Sequence, residues 1–305
     1  MDIGVCDGVA ERMGVEVRRG VSAAELTTFR GGGEAARVYV PRSAEQVAEF
    51  AAECARLGAE FFVLGGGSKT LIADGEVLRP VLSTAKMRAV TFAGEDEGKV
   101  FLRAESGARV HDLMQACAVY GCGGVEFMAG VRASAGGMVR MNAGAFGEQT
   151  ADIVLEAEIL NALTGETERK KREDIPFGYR RGAEGFVLAV TFALPRMTEE
   201  EREKRRAAFV GERKKRQPRL PSCGSVFRNC GGVPVGALIE DAGLKGLRLG
   251  GAEISRKHAN FIVNAGGATT GDFLGLAAYA AERLGELFGV SPEKEFEILQ
   301  DDLPF

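Results

Sequence analysis

Two glycine-rich segments carry the residues whose types and spacing are best suited to bind a ligand. The first is LGGGSK at residues 64–69, and the second runs over residues 123–149 and includes GGMVRMNAG at residues 136–144. Glycine lets the backbone approach a ligand closely, and backbone N–H groups at the start of a helix can bind a phosphate. The pattern therefore favours a phosphate-bearing ligand, although a tightly packed turn without a ligand also uses glycine.

The elements around the first segment place it where ligands usually bind. A capping box, SAEQ at residues 43–46, begins a predicted helix that Gly58 ends, and a short buried strand follows at residues 61–64. The first glycine segment follows that strand directly, and loops at the carboxyl ends of parallel strands are the usual ligand position in open α/β sheets. Its spacing matches neither a dinucleotide fingerprint nor a P-loop.

The remaining chain is predicted to alternate helices and strands. One amphipathic helix is expected over residues 1–20. A short helix at residues 135–141 is expected inside the second glycine-rich segment, between its two glycine-rich loops. The further predicted helices are at residues 108–120, 234–242 and 270–288, and the further strands at residues 153–161, 166–172, 186–194, 259–264 and 296–299. The charged run at residues 196–219 is typical of a solvated helix, and a basic surface that meets an anionic substrate is the alternative.

The composition excludes several classes of protein. The charge is nearly balanced, with 39 basic and 43 acidic residues, so neither a nucleic-acid partner nor a membrane partner is predicted. No apolar run approaches membrane-spanning length and no secretory leader precedes the first element, so a cytoplasmic location is expected. The six cysteines form no CxxC pair and are expected to be reduced thiols. Only His111 and His258 are present, and no metal site is predicted.

Seven motifs, in order and over residues 27–298, resemble the UDP-N-acetylenolpyruvoylglucosamine reductase (MurB) family of bacterial peptidoglycan synthesis, in its shorter type II form. They are TTFR (27–30), LGGGS (64–68), GGMVRMNAG (136–144), FGYR (177–180), GSVFRN (224–229), KHANFIVN (257–264) and Glu295 after FGV (288–290). The resemblance implies an α+β fold: a two-subdomain FAD-binding half of the vanillyl-alcohol-oxidase/PCMH type plus a C-terminal α/β substrate-binding domain. The expected bounds are 1–82 and 83–197 for the FAD-binding subdomains, 198–220 for a linker helix and 221–305 for the substrate domain, whose last strand can return to the first subdomain.

The resemblance also implies the reaction and the cofactor. NADPH would reduce FAD, and the reduced flavin would convert UDP-N-acetylglucosamine enolpyruvate to UDP-N-acetylmuramate, with the protein acting as a monomer. The FAD diphosphate would be held by the two glycine-rich segments. The implied FAD ligands are Gly65, Gly66, Gly67, Ser68, Lys69, Gly130, Ser134, Gly136, Gly137, Asn142 and Gly144.

The family pattern assigns the chemistry to three residues from distant parts of the chain. Ser225 would donate a proton, and it would need cationic neighbours and burial because serine is a poor acid. Arg180 and Glu295 would polarise the substrate carboxylate and stabilise the enolic intermediate, since an arginine fork suits a carboxylate. The implied substrate contacts are Tyr179, Arg228 and Asn229.

Several positions depart from the family pattern. The family usually has Ile-Gly-Gly-Pro at residues 31–34, Asn at Lys69, Pro-Gly at Arg132-Ala133, Ser at Gly182, Lys at Arg228 and Pro at Cys230. Two other functions stay open from the sequence. One is a related FAD-dependent oxidase of a small alcohol or sugar, a class that often tethers a histidine to its flavin, and the other is a non-catalytic nucleotide-binding regulator.

Overall fold

The structure is a computed structural model, and it describes residues 2–161 and 165–301. The α-helices are α1 (Asp2–Met13), α2 (Ala23–Leu26), α3 (Ala44–Arg56), α4 (Val110–Tyr120), α5 (Ala135–Arg140), α6 (Glu199–Arg216), α7 (Val235–Asp241) and α8 (Thr270–Phe288). Among these described helices, none combines the length and the apolar character that a membrane crossing requires.

Seventeen strands are present in the described residues. They are β1 (Glu16–Ser22), β2 (Gly32–Val40), β3 (Phe62–Leu64), β4 (Thr70–Val77), β5 (Val81–Ser83), β6 (Val90–Asp96), β7 (Lys99–Glu105), β8 (Gly144–Ala145), β9 (Glu148–Gln149), β10 (Val154–Leu160), β11 (Thr167–Lys171), β12 (Phe186–Pro195), β13 (Ser222–Ser225), β14 (Arg248–Leu249), β15 (Ala252–Ile254), β16 (Phe261–Asn264) and β17 (Glu297–Leu299).

The chain divides into two compact units, each assembled from separate stretches. The first unit comprises Met1–Arg18, Val38–Gly66 and Pro80–Arg213. The second unit comprises Arg19–Arg37, Gly67–Arg79 and Lys214–Phe305. These stretches do not test the functional domain bounds expected from the sequence, which stay predictions.

The first unit is built on an antiparallel five-stranded sheet in the order β11-β10-β12-β7-β6. The central strand β12 is almost entirely apolar and buried, whereas the polar strand β11 lies at the edge. A second core in this unit packs α1 and α3 together near the parallel strands β3 and β5. The buried stripe of α3, Val47, Phe50, Ala51 and Cys54, forms part of that core.

The second unit contains the antiparallel sheet β13-β16-β15-β14 and the parallel pairing of β4 with β17. Helix α8 begins with a capping box between Thr269 and Asp272 and ends at Gly289, whose φ is 66°. Its buried Phe273 packs edge-on against both Phe29 and Phe296, with ring centroids 5.1 Å apart in each pair.

The N-terminal prediction was wrong in its length. Helix α1 ends at Met13 rather than continuing to residue 20, and β1 follows it. Gly14 adopts a left-handed φ of 65°, which ends the helix, and the following Glu-Val-Arg-Arg segment forms a strand instead. Met1 lies outside the described residues.

Candidate active site

In the first unit, the two glycine-rich segments lie directly against each other. A Cβ added at Gly65 would lie 2.7 Å from Ser134 Oγ, and one added at Gly66 would lie 2.7 Å from the carbonyl oxygen of Arg132. At Gly66 the clash is with the backbone, so that position requires glycine, whereas a side chain at Gly65 would displace the Ser134 hydroxyl. The close approach of residues 65–66 to residues 132–134 joins the two parts of the predicted cofactor site.

The first glycine segment has backbone donors that the described residues do not use. Within the described part of the chain, no protein oxygen accepts a hydrogen bond from the N–H groups of residues 65–69. Gly67, which belongs to the second unit, has a φ of 61°, and its Cβ would clash with the carbonyl of Leu26. Consecutive N–H donors on a loop of this kind suit an anion such as the diphosphate of FAD. The residues present therefore fit that cofactor.

In the second segment, several N–H groups are engaged within the protein. Ser134 caps α5 by accepting a hydrogen bond from Gly137 N at 3.3 Å, and Gly136 N donates to the carbonyl of Ser106 at 2.9 Å. A Cβ at Gly136 would lie only 2.2 Å from Ser106 Oγ. Gly136 is therefore glycine because of packing, and the contacts of Gly136 and Gly137 with FAD stay predictions. Gly130, with a φ of 84°, packs against the side chain of Arg213.

Asn142 holds the predicted substrate turn in place. Its buried Nδ2 donates to the carbonyl of Gly178 and to Gln149 Oε1, both at 3.0 Å, and its Oδ1 accepts from Ala151 N at 2.9 Å. The nearby carbonyl of Gly144 accepts from Arg180 Nη1 at 3.3 Å. Asn142 and Gly144, both predicted FAD ligands, thus also fix the position of the FGYR turn.

Arg180 occupies a strained position in that turn. Gly178 and Arg181 exchange backbone hydrogen bonds, and Arg180 between them has a φ of 54°, which is rare for a residue with a side chain. Its guanidinium lies 5.3 Å from the ring centroid of Tyr179, which is 55% exposed. Strain of this kind persists where the surrounding structure requires it, and it is concentrated at ligand-binding sites.

In the second unit, Ser225 and Glu295 lie on hydrogen-bonded segments. Ser225 ends β13 opposite Phe261, directly after Gly224, whose φ is 77°. Glu295 N donates to the carbonyl of Val226 at 2.8 Å, which places Glu295 beside the end of β13. No described group is hydrogen-bonded to the hydroxyl of Ser225.

Lys69 joins these two residues. Its Nζ lies 2.9 Å from Glu295 Oε1 and donates to the backbone carbonyl of Ser225 at 2.8 Å. The Glu295 side chain is only 4% exposed and that of Lys69 is 27% exposed, so this ion pair is largely removed from water. Burial raises the pKa of the neighbouring Cys223 thiol to about 11, so this thiol is neutral and unreactive at neutral pH.

The predicted substrate contacts Arg228 and Asn229 follow on the same segment. Arg228 pairs with Glu293 through its backbone N–H at 2.9 Å and through Nη1 at 3.2 Å, while its Nε is buried without a described partner. Asn229 Oδ1 accepts from Val235 N at 3.4 Å, at the start of α7. An unpaired buried donor is costly, and a bound anion would satisfy it.

Two asparagines that organise the second unit were not singled out from the sequence. Asn260 Oδ1 accepts from Phe227 N at 3.0 Å and its Nδ2 donates to Phe227 O at 2.8 Å, which fixes the segment after Ser225. Asn264 Nδ2 donates to the carbonyls of Phe29 and Arg30 in the TTFR motif. Their place in the KHANFIVN motif was the available signal.

Arg180 belongs to the first unit, and the catalytic roles of Ser225, Arg180 and Glu295 stay predictions.

Two family models match the chain. The model of the C-terminal domain of UDP-N-acetylenolpyruvoylglucosamine reductase matches residues 216–299, and an FAD-binding domain model matches residues 35–170. The reductase of Enterococcus faecalis is 35% identical over 283 residues, which cover 91% of this chain and 92% of that protein. The chain belongs to the UDP-N-acetylenolpyruvoylglucosamine reductase (MurB) family.

Further members of the MurB family match this chain over more than nine-tenths of their length. The reductase of Synechococcus sp. is 35% identical over 294 residues, which cover 94% of this chain and 93% of that protein. The crystal structure of MurB from Thermus caldophilus has a TM-score of 0.78 and 32% sequence identity, over 93% of this chain and 98% of that one. The predicted MurB fold class and the predicted FAD cofactor, with NADPH as the reductant, are confirmed.

Proposed function

We propose that this chain reduces UDP-N-acetylglucosamine enolpyruvate to UDP-N-acetylmuramate in peptidoglycan precursor synthesis, with NADPH as the electron source and FAD as the cofactor. Membership of the MurB family over nine-tenths of the chain supports this function. The observation that carries it is the arrangement of Ser225 and Glu295 around the ammonium of Lys69. A serine without a described hydroxyl partner, beside a buried ion pair, is suited to proton transfer.

The chain itself must supply a proton and stabilise charge. When bound, FAD supplies the hydride chemistry that reduces the enolpyruvyl double bond. Ser225 donates a proton to the substrate carbon next to the carboxylate. Serine is a weak acid, and a cation held in a site of low polarity favours the anion that remains after the proton has left. Lys69 is that cation in the second unit.

Two charged side chains are proposed to act on the substrate carboxylate and on the enolic charge that develops next to it. Arg180 presents a guanidinium on a strained turn, and its fork can bind a carboxylate through two parallel hydrogen bonds. Glu295, nearly buried and paired with Lys69, has a fixed orientation rather than a solvated one. The further proposed substrate contacts are Tyr179, Arg228 and Asn229.

The proposed function is tested with the purified protein in two steps. The protein should be yellow, and anaerobic NADPH should bleach the flavin absorbance. Addition of UDP-N-acetylglucosamine enolpyruvate should then restore the absorbance and yield a product two mass units heavier than the substrate. Flavin that NADPH does not bleach would contradict the reductase function in favour of an oxidase, and a protein without flavin would contradict both.

The protein is further proposed to act in the cytoplasm as a monomer. The nucleotide-sugar substrate of the proposed reaction is water-soluble, which supports the location. Light scattering coupled to size-exclusion chromatography should give a mass close to the 32.4 kDa of the single chain. A mass twice that value at micromolar protein concentration would contradict the monomer.

A further inference from the structure

Lys69 in the second unit contacts both residues to which proton transfer and charge stabilisation are assigned. One ammonium lies 2.9 Å from Glu295 Oε1 and 2.8 Å from the backbone carbonyl of Ser225. Lys69 ends the first glycine-rich segment, where the sequence predicts a contact with the FAD diphosphate. Its ammonium is instead engaged by a carboxylate and by a peptide carbonyl.

Two main-chain hydrogen bonds fix this arrangement. The carbonyl of Lys69 accepts a hydrogen bond from Glu297 N at 2.8 Å, at the point where β4 and β17 begin to pair. Glu295 N in turn donates to the carbonyl of Val226 at 2.8 Å. The segments that carry Lys69, Ser225 and Glu295 are therefore tied together through main-chain hydrogen bonds, and the lysine side chain starts from a fixed point.

The residue before Ser225 leaves room for the ammonium. A Cβ added at Gly224 would lie 3.2 Å from Lys69 Nζ and 3.6 Å from Lys69 Cε. Gly224 also has a φ of 77°, a conformation that residues with a side chain rarely adopt. The glycine thus allows the turn that ends at Ser225 to approach the lysine closely.

The charge at this position has two effects on the neighbouring groups. The Glu295 carboxylate is almost completely buried, and an ionised carboxylate in such a place needs an opposite charge and hydrogen bonds. The same ammonium donates to the carbonyl of Ser225 and so fixes the peptide that carries the hydroxyl. Both effects act on the groups that exchange charge with the substrate.

We infer that Lys69 is a positioning residue for proton transfer: it orients the Glu295 carboxylate and fixes the peptide that carries Ser225. Lys69 has this role only if the chain carries out the proposed reduction. The role differs from that of a diphosphate ligand, because a diphosphate ligand would affect FAD affinity and a positioning residue affects the step that consumes the substrate.

The test compares Lys69 variants in the two half-reactions and in FAD affinity. In Lys69→Met, reoxidation of the reduced flavin by the enolpyruvyl substrate should fall by about 100-fold, within the range for losing a positioned proton transfer. Bleaching by NADPH, and the Kd of the apoprotein for FAD, should both stay within about threefold of the wild-type values. Lys69→Arg, which keeps the charge, should be reoxidised at no less than about a tenth of the wild-type rate.

Lys245→Met is the matched control, because Lys245 has the same side-chain exposure of 27% and also pairs with a glutamate of the second unit, Glu240. It should leave both half-reactions unchanged. Lys69→Gln retains a hydrogen-bond donor without the charge, and it replaces Lys69→Met in the test if the methionine variant does not fold. The rate of reoxidation of Lys69→Gln should be about tenfold lower than that of the wild type.

Two results would overturn the role of Lys69. Wild-type reoxidation rates in Lys69→Met and Lys69→Gln would show that the ammonium does not matter. A loss of FAD affinity as large as the loss of rate would make Lys69 a cofactor ligand instead. A wild-type protein that the substrate cannot reoxidise at all would instead contradict the proposed function, which keeps the two failures apart.

Discussion

The glycine-rich region of the first unit and the Ser225 region of the second unit are built in different ways. In the first, residues 65–66 and 132–134 touch through backbone and small side chains, so its geometry depends on the absence of side chains. In the second, Lys69 and Glu295 form a buried ion pair beside Ser225, so its geometry depends on charge. The difference indicates that cofactor binding and chemistry can be changed separately by substitution.

Glu295→Gln should have the largest effect. The substitution keeps the shape of the side chain and removes the charge that faces Lys69, so reoxidation by the substrate should fall by about 10²- to 10⁴-fold. The FAD content should not change, because the glycine-rich region is untouched. Stopped-flow absorbance measures the rate, and Glu297→Gln, at an exposed position two residues along, is the control. A loss of FAD in the Glu295 variant would contradict the claim that cofactor binding and chemistry depend on different regions.

Lys69→Met should lower the free energy of unfolding of the apoprotein. Removal of the cation takes away the charge that Lys69 supplies to the buried Glu295 carboxylate, which costs about 2–4 kcal/mol. A second substitution, Glu295→Met, should restore most of that loss, because the buried carboxylate that lost this cation is then removed as well. Urea unfolding followed by circular dichroism measures both variants. If the double variant were less stable than the single one by a further 2 kcal/mol or so, the ion pair would not be what organises this region.

Gly66→Ala should weaken FAD binding without an effect on the Ser225 region. The new Cβ would lie 2.7 Å from the carbonyl of Arg132, and overpacking of this kind costs about 1–3 kcal/mol, so the Kd for FAD should rise by up to about 100-fold. Fluorescence titration of the apoprotein with FAD measures this. Gly4→Ala, where a Cβ meets nothing within 4 Å, should leave the Kd unchanged. An unchanged Kd in Gly66→Ala would mean that the loop contact does not shape the cofactor site.

Glu158→Gln should have the smallest effect and should act on stability alone. Two hydrogen bonds from Arg103, at 2.7 and 3.0 Å, lower the pKa of Glu158 in the five-stranded sheet. A carboxyl group whose pKa is lowered in the folded state stabilises the protein at pH values above its ordinary pKa. This contribution is lost as the pH falls through the folded-state pKa. The variant should therefore lose about 1 kcal/mol at pH 7 and less than that at pH 3. An equal loss at both pH values in urea unfolding would contradict the charge argument.

Elements with local end signals were predicted well. The predicted helix at residues 270–288 matches α8, because the capping box at Thr269 and the glycine at 289 fix both ends. The predicted helix at residues 234–242 is shorter in the structure, over Val235–Asp241, and Pro234 is its N-cap. The predicted helix between the glycine loops matches α5 to within one residue because Ser134 caps it. Such signals act over a few residues and are visible in any single sequence.

The pairing of Lys69 with Glu295 could not be predicted from the sequence. The two residues are far apart in the chain, and only the parallel pairing of β4 with β17 brings them together. The sequence placed Lys69 in a glycine-rich loop, where a diphosphate contact was the natural interpretation. Tertiary contacts of this kind leave no local pattern.

Two departures from the family pattern have a structural reason. A Cβ at Gly182 would lie 1.8 Å from the carbonyl of Val139, so the usual serine does not fit this backbone. Cys230 N donates to the carbonyl of Val233 at 3.2 Å across the Gly231-Gly232 turn, a bond that the usual proline could not make. These local conformations were not visible from the family motifs alone.

The most direct test of the Ser225 region is the rate at which the substrate reoxidises the flavin of Ser225→Ala. Ser222→Ala, on the same strand, is the matched control. The FAD-loaded variant is reduced anaerobically with NADPH and mixed with UDP-N-acetylglucosamine enolpyruvate. If Ser225 donates the proton, NADPH bleaches the flavin at the wild-type rate and the substrate restores the absorbance about 10²- to 10⁴-fold more slowly than in the wild type and the control. Wild-type reoxidation in Ser225→Ala would contradict that assignment.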